Sequence, residues 1–165
     1  MKNVRSVAVV TWSLWLACAL ALGGCFGGKK GPEPPKPAVL TLQANASADL
    51  NPDGAGRPSP LVVRLYALRD KAAFEGADFF ALYEKDAQIL AADLVKQEEL
   101  LLQPGATISV TREYPPDVQF LAVMGGFRDV ERASWRSVTP VLAGQKALLR
   151  IEAGAKSLSI EVEKK

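Results

Sequence analysis

The stretch "LTLQAN", Leu40 to Asn45, decides the fold, because Leu40, Leu42 and Ala44 alternate there with Thr41, Gln43 and Asn45. Successive side chains of a strand point to opposite faces, so a period of two marks a half-buried β-strand. The same alternation returns in Ile108 and Val110 against Thr107, Ser109 and Thr111, and in Leu158, Ile160 and Val162 against Ser157, Ser159, Glu161 and Glu163. "LVVRLYAL" (Leu61 to Leu68) and "FLAVMGGF" (Phe120 to Phe127) are apolar on both faces, the pattern of central strands. "QPG", Gln103 to Gly105, is expected to turn the chain from Glu98–Leu102 back to the strand at Thr107–Thr111. Residues Ala147–Ile151 and Leu158–Val162 read as a further pair split by "EAGAK".

One segment breaks the period. In "DKAAFEGADFFALYEKD", Asp70 and Asp78 are each placed to cap a helical turn, Gly76 stops the first, and Phe79, Leu82 and Tyr83 fall on one side of the second. Two short helices are therefore expected between strands, their aromatic rings covering the core. Trp135, in the strand-like "ASWRSVTPV", reads as core in the same way. Strands at this spacing with a small helical insert make a mainly β, two-sheet β-sandwich.

The N-terminal segment is of a different kind. Lys2 and Arg5 precede an apolar run from Val7 to Leu22, and small residues follow, the layout of a secretory signal peptide. Leu22-Gly23-Gly24-Cys25 resembles a bacterial lipobox, which implies that Cys25 becomes the first residue of the mature chain and carries lipid. Several acyl chains, each buried methylene contributing about 0.8 kcal/mol, would anchor it durably. Phe26 to Pro37 is rich in glycine and proline and too poor in apolar side chains to order itself. Extended, it reaches about 35–40 Å. The expected organisation is a signal peptide over 1–24, a lipidated cysteine and tether over 25–37, and a β-sandwich domain over 38–165, which is long enough for one core.

Composition removes most kinds of chemistry. Of 20 basic residues, Lys2 and Arg5 leave with the signal, so 18 remain against 18 acidic, and no basic excess exists to attract nucleic acid. The chain has no histidine, and its two cysteines, Cys18 and Cys25, are lost with the signal and acylated. Ser-His-Asp and Cys-His catalysis and the usual zinc sites are thereby excluded, and no disulfide is expected. "GAGRPS", Gly54 to Ser59, lacks both the lysine of a phosphate loop and the spacing of a dinucleotide fingerprint. The adjacent carboxylates Glu98 and Glu99 sit on a strand, where neighbours point to opposite faces. No enzyme, no metal and no cofactor beyond the covalent lipid is expected.

Four blocks in order, "LNPDGAGRPSPLVVRLYAL", "FEGADFFALYEKD", "LLLQPG" and "FLAVMGGFRDVERASWRSVTPV", make the chain resemble the type VI secretion lipoprotein family TssJ (VasD, SciN), over about Val39 to Val141. The resemblance implies a transthyretin-like sandwich with a helical addition. It also implies a place on the periplasmic face of the outer membrane, and a partner, the periplasmic C-terminal domain of the IcmF-like inner-membrane protein TssM. The family's contact loop joins its first two strands and falls here on Asp49 to Pro58, which gives Asp49, Leu50, Asn51, Pro52, Asp53, Gly54 and Arg57 as candidate partner-binding residues.

That loop is longer than a two-residue turn requires, so it is either functional or a tolerated insertion. Leu50 is its one sizeable apolar group, and Arg57 offers a planar fork to a carboxylate. The competing readings are a transthyretin-like hydrolase, which the absence of histidine opposes, and a lipoprotein that binds a small molecule or another envelope protein through the sandwich.

Overall fold

In the computed structural model, residues 33–163 are described; the expected signal peptide, Cys25 and the first part of the expected tether lie outside them. Alternating burial along β1 (Ala38–Ala46) puts Leu40, Leu42 and Ala44 inward, as the period of two requires. β1 is joined by β4 (Thr107–Tyr114), β7 (Lys146–Ala153) and β8 (Leu158–Val162) in a four-stranded sheet of order β4-β1-β7-β8. The second sheet, of order β3-β2-β5-β6, contains β2 (Leu61–Leu68), β3 (Leu94–Leu102), β5 (Phe120–Gly125) and β6 (Arg136–Pro140). The expected two-sheet sandwich is therefore present, with β2 and β5 central. Among the described strands β1 and β7 pair in parallel and the other strand pairs are antiparallel, with one isolated parallel bridge between Ser134 and Ser157.

Leu61, Val63, Leu65 and Ala67 of β2 face the sandwich interior with Leu40, Leu42, Leu121, Val123, Leu149 and Ile160. The opposite face of the same strand would be solvated in a plain two-layer sandwich, yet Tyr66 and Leu68 are fully buried. Two helices explain this. α1 (Ala72–Gly76) and α2 (Phe79–Leu90) lay Phe74, Leu82 and Leu90 over Tyr66, Leu68, Ala122 and Met124, making a second apolar cluster. Asp70 Oδ1 accepts from Ala72 N at 2.7 Å, and Asp78 Oδ1 accepts from Ala81 N at 2.9 Å, so both expected acids satisfy helix-start donors. α2 runs beyond the short helix expected, with a kink at Lys85 (φ −138°, ψ 33°). Arg64 fastens it to the sheet, donating to the Tyr83 carbonyl at 2.7 Å and to Glu99 at 3.2 Å.

The turn at "QPG" forms, with Gly105 at φ 73°, but it does not make a hairpin. β3 pairs along its length with β2, and β4 with β1, so the turn arches from one sheet to the other. Glu98 and Glu99 do point to opposite faces. Glu99 meets Arg64 on the helix side, while Glu98 points inward and accepts from Arg112 Nε of the opposing sheet at 2.9 Å and from Lys96 at 2.6 Å. That clasp closes the open edge between β3 and β4.

The strand directions sort the connections to two poles. The chain enters the sandwich at Ala38, and the nine residues of β1 carry it roughly 26 Å to the far pole. There the register gathers the β1–β2 loop, the β3–β4 arch, the β5–β6 connection and the β7–β8 turn: Ala46 faces Ala153, Leu61 faces Leu102, and Val63 faces Gly125. Among the described residues no helix is long and apolar enough to cross a membrane.

Candidate functional site

The β1–β2 loop, where all seven partner-binding candidates lie, divides into a foot and a tip. Leu50 is completely buried within the main core, and Ser59 N donates back to its carbonyl at 2.9 Å. Asn51, 4% exposed, adopts φ 45°, a left-handed conformation that asparagine tolerates better than most residues. Its Nδ2 donates to the Pro60 carbonyl at 2.9 Å and its Oδ1 accepts from Arg128 N at 2.9 Å. One side chain thus closes the base of its own loop and ties it to the β5–β6 connection. Leu50 and Asn51 were expected to share the contact surface, but their side chains face inward and hold the loop.

The tip folds on Asp53. Its Oδ1 accepts from Ala55 N at 2.9 Å and Arg57 N at 3.0 Å, while its Oδ2 takes Arg57 Nε at 2.8 Å and a second guanidinium nitrogen at 2.7 Å. Backbone bonds from Asp53 N to the Arg57 carbonyl and from Gly56 N to the Asp53 carbonyl complete the ring. The Arg57 side-chain hydrogen bond, with the backbone donors, holds the Asp53 carboxyl below its ordinary range. Gly56 takes φ 79°, which glycine reaches without steric cost. Arg57 is thus committed to its own loop, though it remains exposed, as do Gly54 and Asp49; Pro52 is half-buried. Asp49 accepts from Ser47 Oγ at 2.6 Å.

Beside the tip lies a cleft of about 520 Å³ that the linear sequence does not announce. Asp53 and Gly54 form one wall, and Arg128, Asp129, Arg132 and Lys156 the other. Asp129 accepts from Lys156 Nζ at 2.6 Å, with Arg132 at 3.7 Å, and the Lys156 hydrogen bond leads in holding its carboxyl low. Arg128 and Arg132 come from "FRDVERAS" and Lys156 from "EAGAK". Neither segment lies near the loop in sequence; their approach to it depends on pairing β2 with β5 and β7 with β8.

Trp135 lies half-buried between the two apolar clusters, its ring edge-on to Phe79 at 5.2 Å with the Arg136 guanidinium 4.6 Å from its centre, which agrees with the core reading. Among the described residues, no group of three histidine, cysteine, aspartate or glutamate side chains is placed to hold a metal ion.

Comparison with known proteins bears on the whole sandwich. The family profile described as "Type VI secretion lipoprotein, VasD, EvfM, TssJ" matches residues 38–164. Among solved structures, the T6SS lipoprotein TssJ1 from Pseudomonas aeruginosa superposes with a TM-score of 0.72 at 36% identity, covering 80% of this chain and 99% of that one. A chain in the structure described as "Type VI membrane complex" gives 0.67 at 29% identity, over 76% and 98%. A chain in the structure described as the T6SS protein TssM C-terminal domain from EAEC gives 0.63 at 26% identity, over 77% and 98%. No curated protein matches.

Proposed function

Because the chain belongs to the type VI secretion lipoprotein family, we propose that it is the outer-membrane lipoprotein of a type VI secretion membrane complex, holding a TssM-like inner-membrane protein by its periplasmic C-terminal domain. Lipid on Cys25 anchors it at the periplasmic face of the outer membrane, and the Asp49–Pro58 loop makes the contact. The family is one of secretion lipoproteins rather than of enzymes. Similar chains in structures described as a type VI membrane complex and as a TssM C-terminal domain support the pairing.

The observation that carries this reading is the position and rigidity of the loop. The tethered end of the sandwich is at Ala38, and the loop tip stands at the opposite pole, where a partner arriving from the far side of the periplasm first meets the domain. The Asp53–Arg57 ring and the Asn51 bridge fix the tip before contact, so little conformational entropy is lost on binding. A photo-crosslinking residue at Gly54 tests it in cells. Crosslinks to the TssM-like protein are expected from Gly54 and not from Leu142, which is 70% exposed at the opposite pole. Crosslinks from Leu142 alone would put the interface at the wrong end.

A further inference from the structure

Resting on the loop pole as the partner-binding surface, we infer that the cleft between the loop tip and the Arg128–Arg132 segment receives an acidic side chain of the partner protein, with Arg128 as its anchor. The cleft is shared by the loop tip, the Arg128–Arg132 segment more than seventy residues on, and Lys156 of the β7–β8 turn, and its walls carry three cations, Arg128, Arg132 and Lys156, against two carboxylates, Asp53 and Asp129. Both carboxylates are already occupied. Asp53 takes two backbone N–H groups and two guanidinium nitrogens, and Asp129 takes Lys156 with Arg132 beyond it. Among the described residues the Arg128 guanidinium has no hydrogen-bond or ion-pair partner; only its backbone N–H is used, by Asn51.

An incoming group therefore meets neutralised acids and one planar cation whose charge acts on Asp53 but whose N–H donors are unused among the described residues. The ligand chemistry that completes this arrangement is a carboxylate, which a guanidinium binds through two parallel N–H donors. The Asn51 bond fixes the Arg128 backbone at the foot of the same loop, so the side chain projects from a held position rather than from a mobile strand end. Gly54 leaves the mouth open: a Cβ built there has nothing within 4 Å, and its φ is not in the left-handed region. A side chain at Gly54 is therefore tolerated by the fold while standing where the partner must pass. An anionic phospholipid headgroup would satisfy the same cation, but the cleft opens at the pole about 26 Å from the tethered end, which favours the protein partner.

The test titrates the full lipoprotein in detergent with the C-terminal periplasmic domain of the cognate TssM-like protein, as the parent, Arg128→Glu, Arg128→Lys and Gly54→Asp. Charge reversal is expected to weaken binding by a factor of about 30 or more, Gly54→Asp by about ten, and Arg128→Lys by only a few fold. Raising the salt concentration should narrow the gap between parent and Arg128→Glu. Circular dichroism checks folding, and Gly54→Asp, which removes no native contact, carries the test if Arg128→Glu does not fold. A parent that binds while both acidic variants bind equally well overturns the cleft and leaves the loop reading standing. A parent that does not bind overturns both. A second arm measures binding to vesicles containing phosphatidylglycerol. Vesicle binding lost in Arg128→Glu while TssM binding is kept would assign the cleft to lipid and overturn the inference.

Discussion

The foot and the tip of the β1–β2 loop are one residue apart in sequence and opposite in physical role. At the foot, Leu50 is packed as deeply as any strand residue and Asn51 spends both ends of its amide on the Pro60 carbonyl and the Arg128 N–H. At the tip, Asp53 and Arg57 satisfy one another and leave their remaining surface to solvent. The difference teaches that a polar, glycine- and proline-rich loop need not be uniform: a buried leucine and a left-handed asparagine convert an insertion into a fixed platform. Substitutions at the foot should then act through stability, and substitutions at the tip through binding.

The largest effect is expected from Leu50→Ala. Removing a fully buried leucine side chain costs about 2–5 kcal/mol, so thermal unfolding should show a steep fall in melting temperature. A melting temperature like the parent's would mean the foot is not part of the core. Asn51→Ala should cost less, about 1–3 kcal/mol, because the Arg128 N–H and the Pro60 carbonyl lose their partner and the left-handed backbone loses a residue suited to it. Asn51→Gly keeps the backbone and should recover part of that loss, which separates conformation from hydrogen bonding.

A smaller effect, away from the loop, calibrates the comparison. Burial would raise the Glu98 carboxyl, but hydrogen bonds from Lys96 and Arg112 outweigh it and hold Glu98 below its ordinary value of 4.5. A carboxylate lowered in the folded state adds stability above its unfolded pKa, and that stability is lost as pH falls through the folded value. Unfolding midpoints should therefore drop as the pH goes below about 4.5, and less so in Glu98→Gln, which has no charge to lose. Equal acid sensitivity in both would remove the inter-sheet clasp from the account. Smallest of all is the stability change in Arg57→Ala: the exposed pair with Asp53 is screened by water, so the melting temperature should stay close to the parent's while partner binding weakens.

Much of the sandwich was legible because burial imposes a period. Leu40, Leu42 and Ala44, the two-sided apolar "LVVRLYAL", and the capping acids Asp70 and Asp78 each report a local environment that their own spacing encodes. The β3–β4 arch was not legible: "QPG" specifies that the chain turns, and which sheet receives it depends on pairings with β1 and β2 far away in sequence. The loop was legible as an insertion of unusual length. The inward turn of Leu50 and Asn51 was not, since polar neighbours on both sides hide a single core residue. Arg128 and Lys156 reach the loop only through strand register, so no local spacing could place them there.

The most direct measurement is a calorimetric titration of the TssM-like C-terminal domain into two forms of the full lipoprotein, the parent and one in which Asp53–Arg57 is replaced by a glycine-serine linker with Leu50 and Asn51 kept. Closing the shorter or looser loop alters stability by only about 0.6 kcal/mol per doubling of length, so both forms should unfold at nearly the same temperature. Binding should fall by at least about tenfold in the replaced form, because interface energy concentrates in few side chains. A folded replacement that binds as tightly as the parent would contradict the assignment of the partner surface to the tip.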